Sequence, residues 1–290
     1  MGIVLELARA KVNLTLRLRG RRSDGYHELE SLVVFADIGD VIELTPAGAP
    51  TVTTRGAFAT AIAGENLVGR ALGLLAQARP GLQLGAITIE KKLPVAAGLG
   101  GGSADAAAAL RAIRRANPTV SDQFDWHGLA ATLGADVPVC LENAPSLMWG
   151  VGEKVRPLSG LPPLDAVLVN PLAAVPPDKT REVFRRLAAA SAPAGTAEPA
   201  PLPQFAGPGN LITYLEGEAN DLEAAASDLM PACREVRAAL AACSGCRLVR
   251  MSGAGPTSFG LFDDREAAHA AARALAVSHP AWWVRAVVLG

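Results

Sequence analysis

Between Pro94 and Ala106 the chain reads Pro94-Val-Ala96-Ala97-Gly98-Leu99-Gly100-Gly101-Gly102-Ser103-Ala-Asp-Ala. Four glycines in five positions (98, 100, 101 and 102) give way to an alanine-rich stretch expected to be helical from near Ser103. Glycine lets a backbone turn sharply and approach a ligand with no Cβ in the way. The start of a helix adds unpaired N–H groups and the positive end of a dipole. Together they make a seat for a polyphosphate. A plain flexible turn before a helix is the alternative. The loop is not a Walker A loop, because no lysine follows the glycines. Nor is it the dinucleotide fingerprint, whose third glycine would stand where Ser103 is.

Three more groups could do chemistry. Lys11-Val-Asn13-Leu-Thr15-Leu-Arg-Leu18 alternates strictly and reads as a strand. Val12, Leu14, Leu16 and Leu18 would lie on one face, with Lys11, Asn13 and Thr15 on the other. Asp136, in Gly134-Ala-Asp-Val-Pro138, is a carboxylate able to take a proton from a hydroxyl, or a turn residue after a helix. Lys11, on an exposed strand face, reads most simply as a solvated cation. Ser252-Gly-Ala-Gly-Pro-Thr257 is a second loop of small and polar residues between two strand-like runs. A hairpin turn is the simpler account of it.

The elements that must position these groups follow from periodicity and punctuation. Strands are expected at 32–36, 41–44 and 86–91, helices at 66–78 and 125–133, and a hairpin at 146–149 and 154–156. From about Gly160 the order becomes strand (166–169), helix (179–189), helix (227–242), strand (247–251), strand (258–262), helix (264–277), strand (284–289). Without its first helix this is βαββαβ, a ferredoxin-like order. Residues 191–209, rich in Ala, Pro and Gly, read as a mobile loop.

At 290 residues two domains are expected, divided as 1–159 and 160–290 in an α+β architecture. Half the residues are hydrophobic and the net charge is −1, so neither nucleic acid nor an acidic membrane is an expected partner. The first residues lack the pattern of a signal peptide, and no apolar run reaches the ~20 residues of a membrane span. A cytoplasmic protein, monomeric or weakly dimeric, is expected. Cys243-Ser-Gly-Cys246 has the spacing of half a zinc site, but no second pair of ligands accompanies it. Its cysteines read as reduced thiols. High Ala, Arg and Gly with little Lys is the mark of a GC-rich genome and says nothing of function.

The segments Ala10-Lys-Val-Asn-Leu14, Gly20-Arg-Arg-Ser-Asp-Gly-Tyr26-His27-Glu-Leu29, the glycine loop, Gly134-Ala-Asp-Val-Pro-Val139 and Ser252–Thr257 together resemble the GHMP kinase superfamily over nearly the whole chain. The Asp-Gly-Tyr-His-Glu run with the triple glycine is similar to the branch that phosphorylates CDP-methylerythritol in the non-mevalonate isoprenoid route. The resemblance implies an N-terminal ribosomal-protein-S5-like domain that binds ATP and a C-terminal ferredoxin-like domain. It implies transfer of the γ-phosphoryl of ATP to the 2-hydroxyl of the substrate. Asp136 would be the base, Lys11 its neighbour, and Asn13 a hydrogen-bonding partner of the polyol. Tyr26 would stack on cytosine, His27 would bond its polar edge, and Phe184, in Thr180-Arg-Glu-Val-Phe184, would close the other side. Phe184 is equally placed to be a core residue of its helix. Lys91 would reach phosphate and Asn66 would border the adenosine, a strand-end charge and a helix-start residue being the alternatives.

Two departures stand out. Most of the superfamily carries Ser-Ser where Gly101 and Gly102 stand. Mg2+ is therefore expected to arrive on ATP, with few or no protein ligands. Ala254 replaces a frequent serine, with little expected consequence. Two other readings compete: a kinase for another small alcohol such as homoserine or mevalonate, and a nucleotide-binding protein without turnover.

Overall fold

The computed structural model describes residues 2–46, 49–61, 66–119, 124–187 and 197–290. Its strands are β1 (Val4–Asn13), β2 (Arg17–Arg21), β3 (His27–Thr45), β4 (Thr51–Arg55), β5 (Ala86–Glu90), β6 (Ser146–Gly150), β7 (Lys154–Pro157), β8 (Leu164–Asn170), β9 (Cys246–Met251), β10 (Ser258–Phe262) and β11 (Trp283–Leu289). Its helices are α1 (Leu67–Ala78), α2 (Gly101–Ala116), α3 (Trp126–Leu133), α4 (Val137–Glu142), α5 (Lys179–Arg185), α6 (Pro208–Glu216), α7 (Glu223–Leu229), α8 (Ala232–Ala241) and α9 (Arg265–Ser278). Two compact units interleave along the chain. One comprises residues 1–11, 38–95 and 100–143, the other residues 12–37, 96–99 and 144–290, so β1 and β3 each run from one into the other.

In the first unit β5 pairs antiparallel with the end of β3 and parallel with β4. Ile42 faces Ile89 and Leu44 faces Ile87 across the ladder, and all four are buried. Gly39 allows β3 to lie against β1: a Cβ there would stand 2.2 Å from the Ala8 carbonyl oxygen. Helix α2 packs against α1 and α4. Its residues from Ala104 to Leu110 are all buried, as expected of a helix enclosed on every side.

In the second unit the strand order is β11-β8-β10-β9, antiparallel throughout. This is the ferredoxin-like order, with α8 and α9 packed on it around Val236, Leu240, Leu275 and Phe262. Arg250 on β9 is buried, and its guanidinium donates to the carbonyls of Leu14, Leu215 and Glu218. It thereby caps the last turn of α6.

Four expectations need correction. The strand drawn over 11–18 ends at Asn13, and β2 begins at Arg17. Alternation presumes one wet face, but every residue from Lys11 to Leu16 is buried. The chain turns where the Leu14 and Thr15 amides both donate to the Leu32 carbonyl. Second, the segments 32–36 and 41–44 are parts of one strand, β3. Third, the helix expected over 227–242 is two, α7 and α8, separated at Met230-Pro231 because proline cannot continue the first. Fourth, the irregular stretch expected over 191–209 gives way to α6 at Pro208. Residues 191–196 of that stretch lie outside the described residues.

Gly39→Ala should destabilise the protein by about 1–3 kcal/mol, since the new methyl meets backbone rather than a movable side chain. Urea denaturation reads this as a lower midpoint at unchanged slope. An unchanged midpoint would show that β1 and β3 have room to separate.

Candidate active site

In the first unit the Lys11 ammonium donates to Asp136 Oδ2 at 2.9 Å. The two partners differ in exposure: the Lys11 side chain is 4% exposed and that of Asp136 36%. Asp136 precedes α4 without using its side chain as a cap, and Pro138 fixes the backbone just beyond it. The carboxylate is therefore held by Lys11 yet open to an incoming hydroxyl. The stem of Lys11 lies along Gly100, where a Cβ would come within 3.2 Å of Lys11 Cβ. Gly100 also has φ +64°, a left-handed turn that leads directly into α2. The Lys11–Asp136 pair and the start of the helix are thus one packed assembly. Gly101 and Gly102 open that helix, one residue pair earlier than expected, and Ser103 lies in its first turn.

Lys91 does not reach outward. It is 3% exposed, and its ammonium is bound by Asp40 Oδ2 and, at 2.7 Å, by Asp105 Oδ2. Asp40 Oδ1 accepts from the amides of Lys92 and Leu93, at 2.6 and 2.8 Å. The cluster thus fixes the strand entering the glycine loop and the helix leaving it. Gly101 belongs to the same contact: a Cβ there would lie 3.6 Å from Lys91 Nζ and 3.8 Å from Asp40 Oδ2. Burial, opposed by Lys91 and assisted by Asp40, pushes Asp105 up to about 7. Asn66 caps α1, its Oδ1 accepting from the Val68 amide at 2.9 Å, so its contacts describe the helix-start alternative.

In the second unit three successive carbonyls of the loop are turned toward one set of donors. Ala96 O accepts from Lys179 Nζ at 3.0 Å, Ala97 O from the Thr257 amide at 3.0 Å, and Gly98 O from Ser252 Oγ at 2.8 Å. A trans peptide points the next N–H the opposite way. The Ala97, Gly98 and Leu99 amides are thereby aimed away from the 252–257 loop, as anion binding requires. Gly98 has no alternative residue, since a Cβ would stand 2.5 Å from Ser252 O. The 252–257 loop is itself held by Asn220, which donates to Met251 O and Gly253 O, and by Asn170, which donates to Thr257 Oγ1. Pro94 precedes this turn and is buried, as is Leu99.

Asn13 is 1% exposed. Its amide donates to Ser252 Oγ and its Nδ2 to Ser31 Oγ, while Oδ1 has no partner. An orphaned buried acceptor is costly, and a hydroxyl donor would relieve it. The His27 and Phe184 rings lie 5.0 Å apart and tilted by 32°. Phe184 is also partly buried against the core cluster that contains Leu16, Val183, Leu222 and Met230, the core placement open to it in its helix. Burial and the nearby Arg21 cation lower the His27 pKa, leaving a neutral imidazole whose Nε2 is buried without a partner. Tyr26 is 66% exposed, and Thr180 is exposed on the first turn of α5. Asp40, Asp105, Ser31, Asn170 and Lys179 were not expected at the site. Their partners lie far away in sequence and leave no local pattern.

The Asp105 carboxyl holds its proton more tightly folded than unfolded, where the value is near 3.8. Its contribution to stability is complete below about pH 4 and is lost as pH rises to about 7. Asp105→Asn should flatten that window in urea denaturation series from pH 4 to 8. Identical slopes in variant and wild type would place the titration elsewhere.

Residues 66–143 match the N-terminal domain model of the GHMP kinases, and residues 206–279 match the C-terminal model. The 4-diphosphocytidyl-2-C-methyl-D-erythritol kinase of Parvibaculum lavamentivorans is 48% identical over 100% of this chain and 99% of its own length. The enzyme of the same name from Rhodopseudomonas palustris is 47% identical over 98% of this chain and 97% of its own. A crystal structure of 4-(cytidine 5'-diphospho)-2C-methyl-D-erythritol kinase superposes with a TM-score of 0.74 at 36% identity, covering 99% of both chains. A homoserine kinase from Cytophaga hutchinsonii, at 16% identity and a TM-score of 0.59, shares the fold. The chain belongs to the GHMP kinases and, within them, to the 4-diphosphocytidyl-2-C-methyl-D-erythritol kinase family.

Proposed function

We propose that the chain transfers the γ-phosphoryl of ATP to the 2-hydroxyl of CDP-methylerythritol, with Asp136 as general base. The observation that carries this reading is the Lys11–Asp136 pair, packed against Gly100 where α2 begins. The aspartate takes the proton of the attacking hydroxyl as the oxygen–phosphorus bond forms, and ADP leaves. Lys11 steadies charge on the transferring group. The loop amides and the start of α2 align the phosphates, which is most of what phosphoryl transfer asks of a protein. No group of three His, Cys, Asp or Glu side chains among the described residues is arranged to hold a metal ion. Gly101 and Gly102 offer no side-chain oxygen where serines could help hold a metal, which supports the reading that Mg2+ arrives on ATP.

Asn13 is the acceptor for a polyol hydroxyl, supported by its unpartnered Oδ1. The cytosine lies with Tyr26 on one face and Phe184 toward the other, and the neutral His27 bonds its edge. Stacking tolerates any base, so selection of cytosine rests on such hydrogen bonds. Thr180 borders this end. Lys91 serves the phosphates indirectly, by fixing the loop, and Asn66 serves the nucleotide by setting the start of α1. The ATP-binding part is residues 1–159 and the C-terminal part 160–290, a division supported by where the two family models match. We take the enzyme to act on freely diffusing substrates in the cytoplasm, as a monomer or weak homodimer. No described helix is long and apolar enough to cross a membrane.

The direct test is ATP turnover with CDP-methylerythritol, homoserine and mevalonate offered separately, the product identified by phosphorus NMR. Turnover with the first alone supports the reading, and turnover with another alcohol overturns the cytidine assignment. Asp136→Asn should keep nucleotide affinity and lose about 10²–10⁴ in turnover. Near-normal turnover would remove it as the base. Tyr26→Ala should weaken the cytidylated substrate by roughly 5- to 150-fold, the value of one stacked base, with ATP binding nearly unchanged. Equal losses on both ligands would indicate a folding defect.

A further inference from the structure

Lys179 has no part in the chemistry above, yet its setting is unusual. It opens α5, is 6% exposed, and its ammonium donates to two backbone carbonyls, those of Ala96 and Gly255. Among the described residues no carboxylate stands within ion-pair distance of it. The acids of its own helix are engaged elsewhere: Asp178 pairs with Arg181, and Glu182 with Arg185 and Arg186. The titratable group facing it is the Cys233 thiol, which burial pushes up and which in turn faces Arg237 and Glu223. A buried, unpaired ammonium is costly, so a fold that keeps one gains something by it.

The second observation is independent. Ala96 has φ +54°, a left-handed conformation disfavoured for any residue with a Cβ. Its carbonyl is one of the two that Lys179 holds. Of the three donors to the loop carbonyls, Lys179 is the charged one. Its other bond reaches Gly255, in the loop that supplies the remaining two donors.

We propose that Lys179 is a positioning residue for the polyphosphate: while charged it clamps Ala96 to Gly255, holding the loop so that its amides face the anion. This rests on the glycine loop binding nucleotide phosphate, as read above. By linkage, an anion that favours the clamped loop also favours the charged lysine. Burial has already brought Lys179 down to about 8, so the clamp loosens just above neutral pH. Asp105 titrates lower, at about 7, and does not mask this window.

The test is binding of a non-hydrolysable ATP analogue with Mg2+, without the acceptor alcohol, by calorimetry on the full chain from pH 7 to 9.5. Wild type should weaken about tenfold as pH passes about 8, a coupling of ordinary size. Lys179→Met should bind about tenfold more weakly at pH 7 and show a flat profile. Lys179→Arg, which keeps its charge, should hold its affinity to pH 9.5. A Lys179→Met protein with wild-type affinity and profile overturns the proposal. If that variant fails to fold, carbon NMR of the Lys179 Cε in wild type decides. Its titration should move upward by about one pH unit when the analogue binds, and an unmoved titration overturns the clamp. A pH-independent wild type that still turns over CDP-methylerythritol would remove the clamp and leave the kinase reading in place. A folded chain that binds no nucleotide removes both.

Discussion

A backbone that aims several N–H groups at a polyanion must turn its carbonyls elsewhere, and those carbonyls need partners. Much of the structure around residues 94–103 follows from that requirement. Lys179, Thr257 and Ser252 take the three carbonyls in the second unit. In the first unit Asp40 ties down the amides of Lys92 and Leu93 and binds the Lys91 ammonium, to which Asp105 also reaches back from α2. Glycine is obligatory at 98 and favoured at 100, where a Cβ would press on Ser252 or on Lys11. Within each unit the loop's backbone groups have named partners, although its composition is that of a flexible turn.

Three buried ammonium groups stand in three different electrostatic settings. Lys91 has two carboxylates and is a structural tie, with a proton shared into the cluster near neutrality. Lys11 has one carboxylate, which remains partly open to solvent. Lys179 has carbonyls alone. The gradation runs from excess negative charge to uncompensated positive charge, although all three side chains are buried alike.

The boundaries of α1, α3, β5, the β6–β7 hairpin and the ferredoxin-like order were legible because each has a local cause. Asn66 and Asp125 cap their helices with side-chain oxygens, and alternation marks the strands. Helix α6 had a local cause too, Pro208 in its first turn after Gly207, hidden by the irregular composition before it. The break after Asn13 was not legible. An alternating pattern looks the same whether its polar face meets water or an active site, and here Lys11, Asn13 and Thr15 are all buried. The glycine loop, Lys11, Asp136 and the aromatic residues were marked by motif. Asp40 was not, since an aspartate inside an apolar strand acquires meaning only from partners 51 to 53 residues away.

The lysines carry a consequence for reading such chains. The sequence holds 5 lysines among its 27 basic residues, a composition in which arginine has taken over most cationic positions. Lys11, Lys91 and Lys179 are all buried, whereas Lys92 is half exposed. Arginine suits a surface cation equally well, whereas its wide planar fork and a compact ammonium make different demands on an enclosed site. In a chain this sparing of lysine, three of its five ammonium groups mark enclosed positions.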